Sequence, residues 1–206
     1  MERQSQFPLF PLSLVALPGE EIRLHIFEQR YRTMVSECLE HEREFGIIWL
    51  ADDELKDVGC ACEIARVIER MDDGRMNILA RATRPFRLLE REDGLAYPAG
   101  TIDLILDDDE TGDAHAADAA RENYAALVSA ATDDEPDQNM LATMSAYDMA
   151  ATVDFGLEAK QRLLELRSEN ARMRLLARLL RAALRRLDFV DRAQARARSN
   201  GKVRFS

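Results

Sequence analysis

The sequence predicts an α+β protein in which a small, closed or nearly closed β barrel precedes a bundle of helices ending in a long helix. Three observations carry this reading. Up to residue 106 the chain holds seven short extended stretches with β-branched content and partial alternation, interrupted by one amphipathic helix. At "DDDETGD" (107–113) the composition changes, and beyond it alanine, leucine and arginine recur at helical spacing. Many short strands separated by turn residues suit a barrel, which hides its sheet edges by closing on itself. The expected divisions are a β-rich part over 1–106, an acidic linker over 107–113, a helical part over 114–188 and a basic tail over 189–206.

The opening apolar run, "FPLFPL" (7–12), contains Pro8 and Pro11, neither of which donates a ladder hydrogen bond. It is therefore expected at a sheet margin, as an edge strand or irregular extended segment. Leu17-Pro18-Gly19-Glu20 places Pro and Gly where a type II turn needs them, and "IRLHI" (22–26) follows as a strand. Tyr31, Met34, Val35, Cys38 and Leu39 fall at i, i+3, i+4, i+7 and i+8, which predicts a short helix ending near His41. Strands are expected over 45–50, 58–71, 75–82, 86–91 and 101–106, with Asp73-Gly74 closing a hairpin. Helices are expected over 114–131 and 138–152, separated by the stop and cap signals of "TDDEPD". A third helix is expected over 157–187, roughly 46 Å long at 1.5 Å per residue. Its inner face is marked by Leu176, Leu180, Ala183, Leu184 and Leu187. The residues after 188 lose apolar periodicity and are expected to fray.

At 206 residues the chain can bury a sizeable core, and 47% hydrophobic with 32% charged residues describes a globular protein. No uncharged apolar stretch reaches the roughly 18 residues that a membrane helix needs. The start of the chain lacks a strong charged n-region and a small-residue cleavage site, so it is expected to stay in the mature protein. The net charge of −10 is unevenly spread: residues 158–206 carry 14 Lys and Arg against 5 Asp and Glu, and the remainder 14 against 33. An acidic body argues against nucleic-acid binding by the whole protein and leaves a local basic site open. Three cysteines, Cys38, Cys60 and Cys62, are too few and odd for a disulfide scaffold, which suggests a reducing, cytoplasmic location.

Catalytic chemistry has no visible foothold. The only Gly-Lys pair, Gly201-Lys202, lacks the remainder of a phosphate loop, and neither G-x-S-x-G nor H-E-x-x-H occurs. His25, His41 and His115 lie in three separate elements. Cys60 and Cys62 have a poor zinc spacing and no second ligand pair nearby. Asp107, Asp109, Thr111, Gly112 and Asp118 mimic a degraded calcium loop, but that loop follows a strand where an EF-hand follows a helix. A solvated acidic linker is the better reading, and no metal or cofactor is expected. On the long helix, Arg174, Arg178, Arg181 and Arg185 form a stripe spaced four, three and four. That stripe reads first as a solvent-facing surface and second as a phosphate-tracking nucleic-acid site, with no interleaved aromatics to support stacking.

The stretches "FPLFPL", "LPG", "LHIFEQRYR", "FGI", "VGCACEI", "DGRMNILARATRPFRL" and "LEAKQRLLEL", in this order and spacing, resemble the LON substrate-binding domain, the N-terminal domain of Lon-type ATP-dependent proteases. The resemblance spans residues 7 to about 187. It implies a PUA-like β pseudobarrel followed by a helical bundle, and a domain that captures polypeptide while ATPase and peptidase activities reside in later domains. The domain is accordingly expected here in a stand-alone, non-catalytic form. Gln29 departs from the family's usual proline. Ala82 and Pro85 depart from its usual glycine and arginine, so the turn before Phe86 is expected to differ.

The resemblance and the residues together single out Phe10, Leu12, His25, Phe27, Glu28, Arg30 and Tyr31 as a candidate peptide-binding groove. An open strand edge beside aromatic side chains can receive an extended apolar segment. A purely structural role competes with this, in which Phe27 and Tyr31 pin the helix to the barrel and Glu28, Arg30 and Arg32 pair with neighbours. The expected partners are unfolded or exposed apolar polypeptide segments and a separate protease or chaperone, in a quality-control adaptor role. RNA binding through Arg174, Arg178, Arg181 and Arg185 is the alternative.

Overall fold

The opening run forms a strand, β1 (Arg3–Leu12), that changes partner halfway along its length. The computed structural model describes residues 3–52, 54–132 and 134–200. After β1 come β2 (Glu21–Ile26), α1 (Gln29–Glu40), β3 (Phe45–Ala51), β4 (Glu54–Arg70), β5 (Met76–Glu92) and β6 (Ala99–Leu104). The helices α2 (Ala114–Thr132), α3 (Gln138–Thr143), α4 (Ala146–Ala151), α5 (Leu157–Glu165) and α6 (Glu169–Asn200) follow. The strands form one sheet in the order β2-β5-β4-β3-β1-β6, and a further β5–β6 pairing closes it into a barrel.

The first half of β1 runs antiparallel to β6, with Phe7 opposite Gly100 and Pro8 opposite Ala99. The second half runs parallel to β3, with Leu9 opposite Gly46 through Leu12 opposite Trp49. Thus β1 is not a sheet margin, contrary to the sequence expectation. The Leu9 N–H donates to Pro98 O at 2.8 Å, so the odd-numbered residues 7, 9 and 11 turn their backbone groups toward β6. Pro8 therefore points its missing N–H toward β3 before that ladder begins, and Pro11 points its own toward β6 after that ladder has ended. Each proline sits where no donor is needed.

The barrel interior is filled by Phe7, Leu9, Ile48, Ala61, Phe86, Ile102 and Leu104. Phe7 meets Phe86 edge-on at 5.6 Å between centroids. Gly46 and Gly59 make room for that ring, since a Cβ on either would stand 2.6 Å from Phe86. The Leu17–Glu20 turn forms as expected, with Gly19 at φ +89° and the Glu20 N–H bonded to Leu17 O at 3.0 Å. The β4–β5 hairpin turns at Asp73-Gly74, with Gly74 at φ +84°.

Two expected strands, 75–82 and 86–91, are one continuous strand, β5. It passes Pro85 through a bulge, because Cys60 faces Pro85 while Cys62 faces Ala82. Two residues of β5, Thr83 and Arg84, stand against one of β4, and Thr83 Oγ1 donates to Ala61 O at 3.0 Å. A proline is tolerated at such a bulge because the ladder is already interrupted there.

The chain resolves into two compact units that differ from the expected division. The first joins residues up to Glu110 with Tyr147–Ser168, and the second joins Thr111–Ala146 with the segment from Glu169 onward. In the first, Gln161 on α5 donates to Val58 O on β4 at 3.0 Å, and Lys160 pairs with Glu20. The expected single helix over 157–187 is broken at 166–168. There Arg167 O accepts the Asp108 N–H at 2.8 Å, its guanidinium pairs with Asp108 at 2.7 Å, and Ser168 Oγ donates to Glu110 at 2.8 Å. Part of the acidic segment is thus bonded rather than only solvated.

In the second unit α2 presents Ala116, Ala120 and Tyr124 inward, and α6 presents Met173, Leu176 and Leu180. Asn123 Nδ2 reaches Ala177 O at 3.2 Å. Asp113 receives the Ala116 N–H at 3.1 Å at the start of α2, and this bond, with Arg174 beside it, holds its carboxyl below the usual range. Residues 189–200, expected to fray, continue α6, as their alanine and arginine content favours. Residues 201–206 of the expected tail lie outside the described residues.

Candidate functional site: a cleft beside β1 and an open edge on β2

Where β1 parts from β6, a cleft of about 350 Å³ opens. One wall is Leu9, Phe10, Pro11 and Leu12, and another is Glu28, Arg30 and Tyr31 at the start of α1. Leu50 and Leu55, which face each other across the β3–β4 hairpin, add apolar surface, and Arg91, Pro98 and Ala99 close the far side. The cleft exists because β1 has left β6 and Pro11 offers that side no donor.

Phe10 and Tyr31 are the foundation of this cleft. Their rings lie 4.1 Å apart between centroids and both side chains are buried. Phe10 also approaches Phe45 at 6.3 Å. Arg30 lies 4.6 Å above the Tyr31 ring and its guanidinium pairs with Glu28 at 2.8 Å. Burial raises the Tyr31 phenol, an effect that Arg30 opposes. Leu12 is half-buried and available at the mouth. Arg91 makes no ion pair among the described residues, so the rim carries a cation with no partner of its own.

Of the seven residues singled out in the sequence, the structure brings Phe10, Leu12, Glu28, Arg30 and Tyr31 to this cleft and leaves two elsewhere. His25 and Phe27 stand at the end of β2, stacked at 5.8 Å, with Phe27 59% exposed. His25 Nδ1 bonds Asn77 Oδ1 at 2.7 Å, and Asn77 Nδ2 donates to Glu69 at 2.8 Å. Tyr31 pins α1 to the barrel, and Phe27 does not. Sequence reasoning missed Leu50, Leu55, Arg91 and Pro98. The leucines flank a hairpin whose register was readable in outline, but nothing local marks Arg91 and Pro98 as neighbours of β1.

The strand with an unpaired side is β2, which pairs only with β5 among the described residues, from Glu21 opposite Arg81 to Ile26 opposite Met76. On its solvent face Arg81 bridges Glu21 and Glu63 at 3.1 and 3.6 Å.

Arg174, Arg178, Arg181 and Arg185 lie exposed along α6, and Arg174 is bound to Asp113 at 2.8 Å. Cys38, Cys60 and Cys62 are free, buried thiols. Burial pushes Cys38 up to about 11 and Cys62 up to about 12, and Cys60 well above its ordinary value. Burial thus favours the protonated thiol at all three positions. Among the described residues no group of three His, Cys, Asp or Glu is placed to hold a metal. Nor is any described helix long and apolar enough to cross a membrane.

Comparison with known proteins accords with this architecture. The structure is similar to a Lon N-terminal domain protein from Xanthomonas campestris, with a TM-score of 0.67, 22% identity, and coverage of 84% of this chain and 97% of that one. The N-terminal domain of a Mycobacterium avium complex Lon protease aligns with a TM-score of 0.66 at 15% identity, over 85% of this chain and 97% of that one. A LON peptidase N-terminal domain and RING finger protein of Schizosaccharomyces pombe is 34% identical over 126 residues, which are 52% of this chain. The matched segment is 25% of that relative's length. The family model for the ATP-dependent protease La (LON) substrate-binding domain matches residues 6–182. With barrel, helices and motif order in agreement over most of its length, the chain belongs to the LON substrate-binding domain family.

Proposed function

We propose that this chain is a non-catalytic polypeptide-binding protein whose client segment enters the cleft between β1 and α1. The observation that carries the reading is the cleft itself: apolar walls from Pro11, Leu12, Leu50 and Leu55, beneath a rim holding Glu28, Arg30 and Arg91. Apolar side chains of an unfolded segment lose water there, and the rim offers hydrogen bonds to its backbone carbonyls. Family membership supports a substrate-binding role, and the free, buried thiols support a reducing, cytoplasmic setting. Delivery of the bound client to a separate protease or chaperone, as a quality-control adaptor, is the extension of the same reading.

Fluorescence anisotropy with a labelled, permanently unfolded protein tests it. Binding should weaken at least about tenfold in Leu12→Asp, which puts a carboxylate where apolar contact is expected, and should vary little with salt. A labelled single-stranded RNA serves as the contrasting probe, and its affinity would fall steeply with salt. RNA bound more tightly than polypeptide, and lost when Arg174, Arg178, Arg181 and Arg185 become glutamine, would overturn the proposal.

A further inference from the structure

The open side of β2 is written so that an inverted copy of the same strand fits it. Ala82 N–H donates to Glu20 O at 2.9 Å, and the register runs from Glu21 opposite Arg81 to Ile26 opposite Met76. In an antiparallel pair alternate residues turn their backbone groups toward the partner strand. Glu20, Ile22, Leu24 and Ile26 therefore face β5, while Glu21, Arg23 and His25 aim their N–H and C=O groups away from it. The side chains of these three residues are exposed, and Leu24 and Ile26 are buried beneath. This free edge differs from one guarded by like charges, which would repel a second copy. Here a glutamate and an arginine stand two residues apart.

We propose that two copies of the chain associate through β2, antiparallel about a two-fold axis at Ile22, so that Glu21 of each copy lies opposite Arg23 of the other. In this register Glu21 and Arg23 form hydrogen-bonded pairs with their counterparts, and the two Ile22 side chains meet at the centre. Arg23 makes no ion pair among the described residues and gains a carboxylate. Glu21, already held by Arg81 at 3.1 Å, has a second oxygen to offer. Phe27, 59% exposed, is carried toward the turn that precedes the other copy's β2. A shift of two residues would set Arg23 against Arg23, so charge selects the register. An isologous contact of this kind closes after two copies.

Sedimentation velocity of the full chain, from about 1 μM to about 100 μM, reads the association directly. A concentration-dependent monomer–dimer equilibrium is expected. Arg23→Glu should weaken it at least about tenfold, and adding Glu21→Arg to that variant should recover most of the loss. Arg23→Pro, which removes an outward N–H and leaves the β5 ladder intact, should abolish it. Circular dichroism melts confirm folding, and Arg23→Glu alone decides the matter if the proline variant does not fold. A chain that stays monomeric throughout, or a dimer indifferent to Arg23→Glu, overturns the proposal. So does a monomeric chain whose binding of unfolded protein is lost with Arg23→Pro, which would give the edge to a client strand.

Discussion

β1 and β2 are both short extended segments near the start of the chain, and they solve opposite problems. β1 is apolar on successive residues, buried from Phe7 to Phe10, and paired on both sides in turn, first with β6 and then with β3. β2 alternates between exposed charge and buried apolar side chains and has one partner, β5. The prolines lie in the interior strand and the charges in the edge strand, the reverse of what proline alone suggests. A proline is compatible with a barrel strand when the strand changes neighbours, because each half has one side that asks for no donor. The same change of neighbours leaves the cleft.

The sharpest way to break this contrast is in β1. Phe7→Ala should destabilise the protein by about 3 to 5 kcal/mol, since it empties the space beside Phe86 at the barrel centre. Urea denaturation that shows a loss below about 1 kcal/mol would mean that β1 is peripheral after all. Next in size is a pair of proline substitutions in β2. Leu24→Pro removes an inward donor and a buried leucine and should cost about 3 kcal/mol or more, whereas Arg23→Pro, facing outward, should cost less than about 1. Equal melting temperatures for the two would show that the open side has been assigned to the wrong residues.

The interior enclosed by the barrel and α1 should also respond to alkali. Cys38 and Cys62 are raised from 9.0 to about 11 and about 12, and Tyr97, hydrogen-bonded to Glu37 at 2.6 Å, to about 12, in each case chiefly by burial. These groups stay protonated in the folded state while their unfolded counterparts ionise. Stability is therefore unaffected below about pH 8 and declines as pH rises past the unfolded values toward the folded ones. By about pH 9.5 the loss should be about 1 kcal/mol per thiol. Melting temperatures at pH 7.5 and pH 9.5 check this, and no fall between them would contradict the burial of the thiols. The smallest effect belongs to the cleft. Leu12→Asp should change stability by less than about 1 kcal/mol, because Leu12 is half-buried at the mouth. A large loss would make Leu12 a core residue and deprive the cleft of its mouth.

Much of the candidate site was legible because its residues are close in sequence. Glu28, Arg30 and Tyr31 occupy the N-cap and first turn of α1, whose apolar periodicity runs from Tyr31 to Leu39. Phe10 and Leu12 were within reach once β1 was read as part of the sheet. Arg91 and Pro98 were not, because they join the cleft through the β5–β6 connection, whose position relative to β1 depends on barrel closure. Phe27 misled for a related reason: an aromatic at a strand's end can turn inward or outward, and only the packed neighbours decide. Here it stacks on His25 and stays exposed.

The sequence by itself determined the features that arise within a few residues: the Pro18-Gly19 and Asp73-Gly74 turns, the buried face of α1, the alternation of β2, and the change to helix beyond residue 113. Propensity, periodicity and the positive φ of glycine act locally, so they survive transfer from sequence to structure. Only the tertiary structure decided the partners of β1, the bulge that carries β5 past Pro85, the break between α5 and α6, and the packing of α5 against β4. Each of these depends on a backbone group satisfied by a residue distant in the chain, as Arg167 O is by Asp108 and Ala61 O by Thr83. Buried peptide groups must find partners, and no local pattern records which distant residue will supply them.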